Sequence, residues 1–92
     1  MFGLSKEIYE KVMNIVGKYE YKFILFGSRA RGDYKFNSDI DIAIESVKEQ
    51  DIYKIQNDFD LLDIPYTFDL VFIMENTNKD LLKSIKNEGV IL

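Results

Sequence analysis

The chain predicts an α/β domain: a small mixed sheet of three strands, or slightly more, flanked by helices. Three observations carry this expectation. Segments with apolar residues at helical spacing alternate with short apolar runs of strand length. One run, Asp39-Ile40-Asp41-Ile42-Ala43-Ile44, alternates between two faces with a period of two, as a strand does. The connections differ in kind: a compact turn joins the first two strands and a helix joins the second to the third. The turn favours an antiparallel pair and the helix a parallel one.

The first helix is predicted from Ser5 to Val16, because Leu4, Ile8, Val12 and Ile15 fall on one face. Ser5 is its N-cap and Gly17 its C-terminal stop. Tyr21 to Phe26 is apolar and aromatic, reads as the first strand, and ends at Gly27. Residues 28–37 form a turn region, with a short helix beginning at Ser28. Asn37-Ser38 is turn chemistry leading into the second strand, Asp39 to Ile44. Ser46 and Glu49 have the spacing of a capping box, so a helix is expected through Leu62 with Ile52, Ile55, Phe59 and Leu62 buried. Ile64-Pro65 breaks it. Tyr66 to Ile73 is the third strand. Thr77 and Asp80 offer a second cap, for a helix over Asn78 to Asn87. Gly89 ends that helix, and Val90-Ile91-Leu92 is an apolar tail expected to pack back. There is no repeat, low-complexity tract or linker, so residues 1–92 form one domain.

Composition narrows the chemistry. Apolar residues make up 47% of the chain and aromatics 14%, enough for a folded core. Cysteine and histidine are both absent, which excludes disulfides, thiolate catalysis, Ser-His-Asp hydrolysis and a histidine zinc site. Chemistry must therefore run on carboxylates, hydroxyls, lysine, arginine and a bound metal. The net charge of −4 argues against direct polynucleotide binding. No signal peptide and no membrane-spanning run is read, so a soluble cytoplasmic protein is expected.

Asp39 and Asp41 point to the same side of their strand, and Ile40, Ile42 and Ile44 to the other. Two neighbouring carboxylates repel each other, and a divalent metal is the simplest compensation. A third acid, Asp69, stands in Thr67-Phe68-Asp69-Leu70-Val71-Phe72. Alone it reads as an edge-strand acid that reaches solvent or a lysine. With Asp39 and Asp41 it reads as part of a metal site. The mixed topology places Asp69 level with Asp41. Upstream, Gly27 allows close approach of a ligand to the backbone, and the Ser28 hydroxyl suits a phosphate oxygen. Helix N–H groups at Ser28 would favour an anion there. The only two arginines, Arg29 and Arg31, lie in this same turn. They suit phosphate oxygens, or they anchor the loop by ion pairs. Phosphate held by one element and metal by the other suits phosphoryl or nucleotidyl transfer. Tyr34 and Phe36 either stack on a base or pack the loop; Tyr53 and Tyr66 read as core or interface.

Gly27-Ser28-Arg29-Ala30-Arg31-Gly32, then Ser38-Asp39-Ile40-Asp41, then Asp69, resemble the nucleotidyltransferase superfamily that includes DNA polymerase β. More narrowly, the chain looks like a minimal nucleotidyltransferase (MNT-type) protein of bacteria and archaea, over nearly its whole length. The resemblance implies that Asp39, Asp41 and Asp69 ligate Mg²⁺, two ions in all, and that Asp69 helps activate the attacking hydroxyl. It implies that Gly27 and Ser28 bind the triphosphate of ATP or another nucleoside triphosphate, with Arg29 and Arg31 steadying phosphate charge. Relatives of this size often serve as the antitoxin beside a HEPN-domain toxin, some by placing AMP on it, so a homo- or hetero-oligomer is expected. Transfer to a small molecule or an RNA end, and neutralisation of the partner by contact alone, are the alternatives.

Overall fold

In the computed structural model, which describes residues 1–92, eight elements follow one another. They are α1 (Lys6–Val16), β1 (Phe23–Phe26), α2 (Ser28–Arg31), β2 (Ile40–Glu45), α3 (Glu49–Asp60), β3 (Phe68–Ile73), α4 (Lys79–Glu88) and β4 (Val90–Ile91). The sheet has four strands in the order β3-β2-β1-β4. As the connection lengths predict, β1 pairs antiparallel with β2, and β2 pairs parallel with β3. No helix is long and apolar enough to cross a membrane.

The alternation of β2 divides two apolar layers. Ile40, Ile42 and Ile44 are fully buried with Phe23 and Leu25, against Val12 and Ile15 of α1 and Ile55 and Phe59 of α3. The opposite face holds Ile24, Phe26 and Ala43 against Ile85 of α4, with Val71, Ile73 and Leu81 beside them. Asp41 and Asp69 share the parity of Ala43 and Val71, so they emerge on the α4 side of the sheet.

Several local expectations shift. The last residues do more than pack: Val90 and Ile91 pair antiparallel with Leu25 and Ile24, and the Leu92 N–H donates to the Phe23 carbonyl at 2.9 Å. The free edge of β1 has backbone groups to satisfy, and this tail satisfies them. The Ser46–Glu49 capping box does not form. β2 continues to Glu45 opposite Ile73, so Ser46 is spent on the reversal at φ 55°, and α3 starts only at Glu49. A distant hydroxyl serves that helix start instead, with the Lys48 N–H donating to Tyr21 Oη at 3.3 Å. For α4 the cap is Asn78, which accepts from the Asp80 and Leu81 N–H groups, while Thr77 Oγ1 accepts from the Met74 N–H. Ser5 caps α1 as expected, accepting from the Ile8 N–H.

Candidate functional site

The site is one row of the sheet. Phe26 of β1 lies opposite Asp41 of β2, and Asp41 lies opposite Asp69 of β3. Gly27 follows Phe26 directly, so the end of β1 brings the turn alongside Asp41. Gly27 has φ 76° and ψ −158°, a region that only glycine occupies without strain. Any Cβ there would also overlap Asp41 Oδ2. The group that stands against this glycine is the Asp41 carboxylate of the neighbouring strand. The amides of Ala30 and Arg31 both donate to the Gly27 carbonyl, which starts α2 at Ser28.

Asp41 is half-buried, and its carboxyl is pushed up from 3.8 to about 6. Burial is the main cause. The charges of Asp69 and then Asp39 add to it, as does hydrogen bonding with Asp69, while the Arg31 charge opposes them. Asp39 lies just before β2 rather than in it, and is exposed, as is Asp69. No three acidic side chains close on a common point at metal-ligating geometry. The register thus unites Asp41 and Asp69, and Asp39 stands at their margin. The donor set still fits a magnesium ion: carboxylate oxygens are hard ligands, and a cation would offset both the burial of the Asp41 charge and its repulsion by Asp69 and Asp39.

The two arginines part company. Arg31 is exposed and forked between Glu88 Oε2, at 2.8 Å from Nη1, and Asp33 Oδ2, at 3.3 Å from Nε. Its charge reaches Asp41. Arg29 is buried, and each of its hydrogen bonds goes to a backbone carbonyl: Nε and Nη2 to Ser38 and Nη1 to Phe2. Those carbonyls, and not ion pairs, anchor it, and a side chain so enclosed is not presented to a phosphate. Tyr34 packs on Arg29, with the guanidinium 5.3 Å from its ring centre, so packing is the reading that holds for this residue. Phe36 remains 86% exposed. Glu88 escaped the reading by function; its signal was a lone acid just before the closing Gly89.

The site is an open face. The largest concavity, about 490 Å³, lies between α4 and the far end of the sheet, against Ile24, Glu45, Ile73 and Ile85, and shares no residue with the acidic row.

Comparison with known proteins bears on the family and the fold. The family model "Polymerase beta, Nucleotidyltransferase" matches residues 7–92. No curated protein matches the chain. Among solved structures, the chain is similar to one described as a toxin-antitoxin with AMP-PNP, with TM-score 0.64 and 24% identity over 89% of this chain and 69% of that one. It is also similar to a protein assigned as a nucleotidyltransferase from Sulfolobus solfataricus, with TM-score 0.53 and 23% identity over 94% of this chain and 76% of that one. At these identities the two structures bear on the fold.

Proposed function

Because this chain belongs to the Polymerase beta nucleotidyltransferase family, we propose that it transfers AMP from ATP to a hydroxyl of a partner protein, as the antitoxin of a toxin-antitoxin pair with a HEPN-domain toxin. The observation that carries the reading is the row Asp41–Asp69 beside Gly27. It sets paired acids next to the glycine turn that ends β1.

Each residue then has a role. Gly27 and Ser28 receive the triphosphate at the end of β1. Arg31, exposed and within electrostatic reach of Asp41, balances phosphate charge. Asp39, Asp41 and Asp69 are the residues that would hold Mg²⁺, whose chemistry is to polarise the phosphate and stabilise the charge that develops on it. Asp69, exposed at the sheet edge, takes the proton of the attacking hydroxyl. The new bond joins the acceptor oxygen to the α-phosphorus, the bond from that phosphorus to the bridging oxygen breaks, and pyrophosphate leaves.

The choice of adenine nucleotide and of a protein partner draws on the toxin-antitoxin structure with AMP-PNP. The open site fits an acceptor that brings its own binding surface. A net charge of −4 speaks against a polynucleotide acceptor.

The test is transfer of label from α-³²P-ATP with Mg²⁺, using the chain and the protein that co-purifies with it. Label on the partner, lost in Asp39→Asn/Asp41→Asn, is expected. A partner that stays bound and controlled without label would replace this reading with neutralisation by contact. Label on a small molecule or RNA end would replace the acceptor.

A further inference from the structure

Arg29 is the one charged side chain among the buried residues, at 1% exposure. A buried cation is costly unless its donors and charge are satisfied, and the satisfaction here is specific. Nε and Nη2 donate to the Ser38 carbonyl at 3.1 and 2.8 Å, and Nη1 donates to the Phe2 carbonyl at 3.0 Å. The guanidinium carbon lies 4.5 Å from the ring centre of Tyr66 and 5.3 Å from that of Tyr34.

These contacts fall on every segment that carries the site. Arg29 itself follows Ser28 in the phosphate turn. Ser38, whose carbonyl takes two of its bonds, immediately precedes Asp39. Tyr66 leads into β3 through Thr67, whose carbonyl accepts the Ile40 N–H at 2.9 Å, and so reaches Asp69. The N-terminal segment closes over the group: a Cβ at Gly3 would lie 2.9 Å from Arg29 Nη1 and overlap the Tyr34 ring.

We infer that Arg29 is a positioning residue: its guanidinium ties the Gly27-Ser28 turn, the Ser38-Asp39 step and the segment from Tyr66 to Asp69 into one unit, and thereby sets where the three carboxylates stand. It acts through those segments and touches no substrate. The inference rests on the reading of Asp39, Asp41 and Asp69 as the site. It also accounts for arginine here in a chain whose other cations, Arg31 apart, are lysines. Lysine has no planar fork to bond two carbonyls while presenting a flat face to tyrosine rings.

The experiment uses Mn²⁺ alone as the probe, read by broadening of backbone amide signals and by calorimetric affinity. In the wild-type chain, Mn²⁺ should broaden the amides of Ser28, Ile40 and Leu70 together. Arg29→Lys should keep a dispersed spectrum and helical circular dichroism yet bind Mn²⁺ about 10-fold more weakly, the usual scale for loss of a group that orients metal ligands. No broadening in the wild-type chain would overturn the site reading, and this inference with it. Normal broadening with unchanged affinity in Arg29→Lys would overturn the positioning role and leave the site standing. Should Arg29→Lys fail to fold, hydrogen exchange of the wild-type chain decides. The amides of Ala30, Lys35 and Ile40 should open as one unit with one free energy, and independent opening overturns the inference.

Discussion

Gly27 and Asp41 meet so closely that the carboxylate occupies the space a side chain at residue 27 would need. The turn and the acid are therefore one structural object, held by antiparallel pairing of Phe26 with Asp41. Gly27→Ala is expected to fail twice, once through its φ of 76° and ψ of −158° and once through the overlap. The backbone strain alone costs ~1–3 kcal/mol. Urea unfolding should show at least that loss. Asp41→Ala in the same chain should recover the part due to overlap and leave the part due to strain, and a double-mutant cycle measures the division.

Asp41 makes the stability of the metal-free chain depend on pH. Its folded value of about 6 lies above the ordinary 3.8, so between those values the folded chain holds a proton that the unfolded chain releases. The contribution of this group is complete below 3.8 and is lost as pH rises through about 6. Asp41→Asn should accordingly gain stability over the wild-type chain at pH 7.5, and less at pH 4.5. Urea midpoints at the two pH values check this; equal gains would contradict it. Adding Mg²⁺ at pH 7.5 should raise the wild-type melting temperature and leave that of Asp41→Asn little changed.

Arg31 is shared between Glu88 and Asp33 at the surface. Solvent-screened pairs of this kind contribute little to stability. Glu88→Gln should leave the urea midpoint almost unmoved while releasing Arg31, and ATP should bind more tightly by titration calorimetry. Arg31→Ala should bind ATP more weakly, with less sensitivity to salt.

Ile42 is fully buried between β1 and β3, in the layer under α1 and α3. Ile42→Ala should cost about 2–5 kcal/mol by loss of burial and creation of a cavity. Against a total of about 5–15 kcal/mol for a folded domain, that is a large share. Chemical denaturation should show a midpoint shift of that scale, with the slope unchanged.

What was legible in the sequence was whatever a local pattern dictates. The two-residue period of Asp39 to Ile44 divided acids from isoleucines because strand geometry admits no other division. The kinds of connection set β1 against β2 and β2 beside β3, and from that the level pairing of Asp41 with Asp69 followed. The fate of other groups was decided by partners far along the chain. Ser46 has the chemistry of a cap, but pairing of Glu45 with Ile73 leaves it in the reversal. Val90 and Ile91 are merely apolar until the open edge of β1 makes them a strand. Arg29 and Arg31 are two residues apart in one motif, yet Arg29 is buried on the Ser38 and Phe2 carbonyls, and Arg31 reaches Glu88 at the surface. Spacing along the chain determines which residues share a face; which distant carbonyl or carboxylate meets each of them is determined only when the sheet and its helices close.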